Sequence, residues 1–234
     1  MEELKFFTDK TVVNDYLLVK IKDYWKLKDF SQWKEVFIDP GVYELTKDVE
    51  YSWVNKSMYG YMEEWIKNLP DTHYFSWDYP CDMNRLHTDY FLKKSWNNAK
   101  KYCKFSQYIV TVQFKFRNYW NFIEWFDIYN ALNISSGILA LGNMCRFRTL
   151  NNYIKHALDY AFSHTHHPRI HIYGLCLKAI PYAHALAKRF NIELSFDSTK
   201  WTRCYHSSGL PSCSKENRQQ YFDEYKKEIE VRIK

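Results

Sequence analysis

The chain has 234 residues, 46% of them apolar and 26% charged, with a formal charge of +6. That balance belongs to a soluble globular chain, and the uncharged apolar runs are too short to span a bilayer, which excludes a helical membrane protein. The charge favours an anionic partner such as nucleic acid, and the length suits one compact domain over residues 1–234. The charged start Met1-Glu-Glu-Leu-Lys5 does not read as a signal peptide. The six cysteines (81, 103, 145, 176, 204, 213) form no framework of close pairs and read as reduced thiols, so a cytoplasmic location is expected.

Eight apolar runs read as strands: Leu4–Phe7, Tyr16–Lys20, Glu35–Asp39, His73–Asp78, Tyr108–Gln113, Gly137–Leu141, Arg169–Gly174 and Glu193–Asp197. Several are β-branched or aromatic without polar alternation, as expected of strands buried on both faces. The first two are joined by a short, non-helical connection. Between the later ones lie helical patterns. Tyr119–Leu132 carries Phe122, Trp125, Phe126, Tyr129 and Leu132 along one stripe. Thr149–Phe162 and Ala179–Phe190 follow the same spacing. Ser214 is placed to cap a last helix with Tyr221, Phe222, Tyr225 and Ile229 on one side. Strands alternating with helices predict a parallel sheet, and eight strands predict an α/β fold: a small single-domain (β/α)8 TIM barrel with a closing C-terminal helix. No linker or repeat divides it.

In such a barrel the strand C-termini share one mouth, where (β/α)8 enzymes keep their chemistry. The residues there are Asp39 of Asp39-Pro-Gly-Val-Tyr43, Asp78 of Asp78-Tyr-Pro, Gln113, Gly142-Asn143, Gly174, and Asp197 of Asp197-Ser-Thr-Lys-Trp201. This ordered set, from about residue 35 to 203, resembles the tRNA-guanine transglycosylase superfamily. It looks closest to the phage-type branch that inserts 7-deazaguanines into DNA. Asp39-Pro-Gly-Val-Tyr43 is similar to the family's Asp-Ser-Gly-Gly-Phe turn. Val112-Gln113 with Tyr119 resembles its Val-Gln segment and Tyr-containing helix. Ala140-Leu-Gly-Asn-Met-Cys-Arg146 resembles its Gly-Leu-Gly-Ser turn with a nearby Cys-Arg, and Ile170–Leu175 with Ser195–Trp201 its His-Phe-Gly and Asp-Ser-x-x-Trp pairing.

The resemblance implies exchange of guanine in a polynucleotide for a free 7-deazaguanine such as 7-cyano-7-deazaguanine. Asp197 would be the nucleophile and Asp39 the general acid/base of two successive inversions, the logic of retaining glycosidases. Asp78 would accept from the N1–H and exocyclic amine of guanine, while Gln113 and a backbone N–H near Gly142 donate to O6. Asn143, Gly174 and Tyr43 complete the implied base pocket, and Arg146, Lys200 and Arg203 the nucleic-acid contacts. The target base would have to leave its stack to enter.

Two departures stand out. Pro40 replaces the family's Ser, and Val42 one of its Gly residues. The zinc module of the tRNA enzymes is reduced to Cys204, His206 and Cys213, an incomplete ligand set, so no metal or other cofactor is expected and DNA is favoured over tRNA.

Each residue also has a plainer role. Strand-end aspartates cap helices or turns, and Asp78 could serve only as a turn-former before Pro80. Gln113 could satisfy backbone groups, Gly142 and Gly174 only turn geometry, and Arg146 be a solvated arginine. The cluster His164-Thr-His166-His167 precedes a strand and belongs on the far, N-terminal face. The Trp125/Phe126 stripe reads as barrel packing, with any exposed part suited to a homodimer face. A tRNA-directed transglycosylase, a non-catalytic nucleic-acid-binding barrel and a base-removing hydrolase remain the alternatives.

Overall fold

In the computed structural model, residues 4–8, 12–20, 31–40, 72–79, 88–115, 117–144, 149–198 and 217–234 are described. Eight strands run parallel: β1 (Lys5–Phe7), β2 (Tyr16–Lys20), β3 (Glu35–Asp39), β4 (Thr72–Phe75), β5 (Tyr108–Val112), β6 (Ile138–Leu141), β7 (Arg169–Ile172) and β8 (Glu193–Asp197). All eight predicted strands are present. Their pairing order is β1-β8-β7-β6-β5-β4-β3-β2, and one bridge between Thr8 and Leu17 joins the two ends into a barrel. At that seam Thr8 N–H donates to the Tyr16 carbonyl at 3.2 Å and Leu18 N–H to the Thr8 carbonyl at 2.7 Å. The Asn14 amide reinforces it from the side, donating to the carbonyls of Phe6 (2.6 Å) and Tyr16 (2.9 Å).

The helices are α1 (Thr88–Tyr102), α2 (Tyr119–Asn130), α3 (Asn152–His164), α4 (Ile180–Phe190) and α5 (Arg218–Ile233). Side chains of Asn118 and Asn151 cap α2 and α3, each accepting from a backbone N–H at 3.0 Å, which sets where those helices start. Helix α4 stops at Asn191, whose left-handed φ of 55° suits an Asn. The predicted cap Ser214 lies outside the described residues. The stripe of α2 is core as expected: Phe122, Phe126 and Tyr129 are fully buried, with Trp125 packed against them. Helix α5 closes the wall beside the seam, laying Phe222 and Tyr225 against Phe6, which itself stacks on Phe196 at 4.9 Å.

Helix α1 escaped the sequence reading. Its buried positions are Leu92, Ser95, Ala99 and Tyr102, so the correct helical spacing is written partly in Ser and Ala. No helix among the described residues is long and apolar enough to cross a membrane.

Inside the barrel, Phe7, Phe37 and Phe75 form a fully buried aromatic layer. Phe7 and Phe37 stack at 3.9 Å, and Phe75 meets Phe37 edge-on at 5.3 Å. Beneath this layer, at the N-terminal face, the first residues of several strands form an ion-pair network. Arg169 Nη1 donates to Glu35 Oε1 at 2.6 Å, and its Nε lies 3.1 Å from Glu193 Oε1. Lys5 Nζ reaches Glu193 at 2.7 Å and Glu35 at 3.4 Å, and His73 Nε2 lies 3.4 Å from Glu35. Burial alone would raise the Glu35 pKa; the Arg169 guanidinium, helped by Lys5, overcomes it and holds the carboxyl below its ordinary range. The guanidinium also sits over the Phe37 ring at 5.0 Å, joining the network to the aromatic layer.

Candidate active site at the barrel mouth

The strand ends bring Asp39, Asp78, Gln113, Gly142, Asn143, Gly174 and Asp197 to the C-terminal face. Tyr43, Arg146, Lys200 and Arg203, like Cys204, His206 and Cys213, lie outside the described residues.

Asp78 stands in the irregular segment after β4, held from both sides by α1. Asn98 Nδ2 donates to the Trp77 carbonyl at 2.9 Å, and the Tyr79 N–H donates to Ser95 Oγ at 2.7 Å. The buried serine that hid the helix in the sequence is thus one of the groups that fixes the aspartate. The carboxyl itself accepts from Gln113 Nε2 at 2.6 Å. Burial first, and then the neighbouring Asp39 charge, push Asp78 well above the ordinary carboxylate range, with the Gln113 hydrogen bond opposing. A carboxyl raised by burial and by a neighbouring carboxylate is suited to holding and releasing a proton.

Gln113 is seated by Gly142. A Cβ at residue 142 would lie 2.4 Å from Gln113 Nε2 and 2.9 Å from the Val112 carbonyl oxygen. The glycine is required for close approach, and its own N–H is committed to that same carbonyl at 3.0 Å. Asn143 adopts a left-handed φ of 58°, and its amide donates to the Phe114 carbonyl at 2.8 Å, so its side chain shapes the turn. Among the described residues the Gln113 Oε1 is buried without a partner.

Asp197 ends β8 and is 8% exposed. Its Oδ1 accepts from the Gly174 N–H at 3.1 Å and lies 3.4 Å from His171 Nε2. Gly174 has a φ of 59°, the left-handed turn that aims its N–H at this oxygen. The Leu175 N–H donates to the Asp197 carbonyl at 3.1 Å, so β7 and β8 are locked together at the carboxylate.

Two residues beside the mouth aspartates were not read from the sequence. Tyr173 points into the barrel with its hydroxyl buried beside that of Thr111. Burial first, then the charges of Asp78 and Asp39 and a smaller push from Asp197, keep this phenol protonated. Tyr173 therefore lies in the field of all three mouth aspartates. The second is His171, fully enclosed beneath Asp197. Only alternation along the chain signals either one: residues 169 and 171 share the inward face of β7, and 173, just beyond it, continues that alternation.

The histidines of the far face behave as placed. The His164 ring stacks on Tyr160 at 4.0 Å, and burial, with His166 beside it, lowers the His167 pKa to about 4. Among the described residues no cluster of three or more His, Cys, Asp or Glu side chains is arranged to hold a metal ion. Cys103 and Cys176 are free thiols.

No protein-family model matches the chain, and neither does any curated protein or solved structure. Function is therefore read from the mouth itself. Among the described residues it offers a carboxylate held through one oxygen, a second carboxyl raised by its neighbour Asp39, and a buried amide oxygen without a partner.

Proposed function

We propose that this barrel is a base-exchange transferase that replaces guanine in a polynucleotide, DNA in preference to tRNA, with a free 7-deazaguanine. The reading is carried by Asp197: among the described residues both contacts to its carboxylate fall on Oδ1, which leaves Oδ2 as the oxygen for a substrate. In the first inversion a bond forms from Oδ2 to the anomeric carbon, the bond from that carbon to the base nitrogen breaks, and the departing guanine takes a proton from Asp39, which receives it from Asp78 as the bound base favours the ionised form of Asp78. In the second, the incoming base gives its proton to Asp39 as its nitrogen displaces Asp197 from the same carbon. The polymer backbone is untouched throughout.

Asp78 and Gln113 form the recognition edge. A base presenting N–H donors to Asp78 favours its ionised form, and Gln113 has an amide already turned toward the same place. The positive charge of the chain supports a polyanionic substrate.

The test is incorporation of labelled guanine into duplex DNA, single-stranded DNA and tRNA, with Asp197→Asn alongside. Label should enter one polymer class, and the variant should lose at least about 1,000-fold in rate together with any denaturant-stable adduct. Absence of label from all three polymers overturns base exchange, and base-labile strand breaks without label identify a base-removing hydrolase instead.

A further inference from the structure

Below Asp197 a chain of buried polar side chains runs down the barrel to the ion-pair network. Arg169 Nε donates to Ser195 Oγ at 3.1 Å, and Ser195 Oγ lies 3.0 Å from His171 Nδ1. His171 Nε2 in turn lies 3.4 Å from Asp197 Oδ1, an electrostatic contact outside hydrogen-bond geometry, and has no hydrogen-bond partner among the described residues. Ser195 and His171 are both fully buried. The imidazole is ringed by Phe7, Phe37, Phe75 and Tyr173 at 5.1–5.7 Å between centroids. Its charged neighbours are Asp197 above and Arg169 and Glu35 below.

This order fixes the protons. A guanidinium N–H only donates, so Ser195 Oγ accepts from Arg169. The serine hydrogen then needs an acceptor, and Nδ1 of His171 is in reach. With Nδ1 accepting, the ring hydrogen of a neutral imidazole sits on Nε2, directed at Asp197. The other tautomer would leave a buried hydroxyl hydrogen without an acceptor and set a lone pair against a carboxylate. Burial, the largest influence on His171, keeps the ring neutral.

We infer that His171 is a positioning residue that, with its tautomer set by Ser195 and Arg169, holds Asp197 Oδ1 so that Oδ2 is the attacking oxygen. It touches no substrate and acts through the carboxylate. The inference rests on Asp197 being the nucleophile of the proposed exchange, while the hydrogen-bond order it requires is observable without turnover.

Two measurements test it. Long-range proton–nitrogen correlation spectra of histidine-labelled protein should show His171 as a neutral imidazole with its hydrogen on Nε2. In Ser195→Ala that preference should weaken. Kinetically, His171→Phe should fill the aromatic cage yet lower kcat on the order of 10- to 100-fold, the usual consequence of removing a group that orients a reactive one. The KM for the free base should change less than about twofold, since the base pocket is elsewhere. His171→Gln, which can return an N–H near the Nε2 position, should recover most of the loss. A hydrogen on Nδ1, a charged ring, wild-type kcat in His171→Phe, or no recovery with Gln would each overturn the inference. Should wild-type protein exchange no base, the functional reading fails, and the tautomer alone decides the contact. Should His171→Phe not fold, the Ser195→Ala spectrum and kcat decide the chain of hydrogen bonds.

Discussion

At the N-terminal end of the barrel Glu35 faces Arg169, Lys5 and His73, and Glu193 faces Lys5 and Arg169. At the C-terminal end of the same strands Asp78 is met by an amide and by the charge of another carboxylate, and Tyr173 lies in the field of three. The first end neutralises its buried charges; the second sets like charges together. Matched charge closes a barrel, whereas crowded carboxyls raise proton affinity at its mouth. His171, Ser195 and Arg169 connect the two regimes through an otherwise aromatic interior.

If that division is right, breaking the matched end should damage stability most. Glu35→Ala leaves the Arg169 guanidinium buried without its main partner and should cost about 3–5 kcal/mol, read by denaturant unfolding. Unchanged stability would mean that the network is incidental. At the mouth, Gly142→Ala forces a Cβ against both Gln113 and a fixed carbonyl. A loss of about 1–3 kcal/mol is expected, with a larger proportional loss of base exchange as Gln113 leaves Asp78. If exchange survives at the wild-type rate, the Gln113–Asp78 contact is not used.

The smallest effect should have the opposite sign. Asp78 is held above its unfolded value of 3.8, so above that pH the unfolded chain ionises while the folded chain keeps its proton, and stability declines as pH rises toward the folded pKa. Asp78→Asn removes that decline. The variant should match the wild type below pH 3.8, become relatively more stable as pH rises, and lose base exchange. A variant less stable at neutral pH would show that the carboxyl is accommodated as well as those at the other end.

All eight strands were legible because strands buried on both faces are written as nearly continuous apolar runs, and the aspartates because they close those runs. Helix α1 was not, since Ser95 and Ala99 occupy its buried stripe, and Ser95 is there to grip the segment carrying Asp78. His171 was equally hidden. In the run Arg169–Ile172 it reads as one polar interruption, and its meaning depends on Ser195, which the register of β7 and β8 sets directly opposite. Gly142 was picked out as a turn residue near a base donor; the structure gives it a different duty, making room for Gln113. Spacing along a chain finds elements, whereas partners across strands emerge only once the register is known.

A ring of strands normally has no rim to which another chain can add, but here, among the described residues, β1 and β2 meet at a single bridge, reinforced by Asn14 and flanked by α5. Opening that bridge turns two interior strands into a pair of unpaired edges, the template for strand addition between copies. Strand addition between copies in concentrated solution is therefore expected to start at this seam.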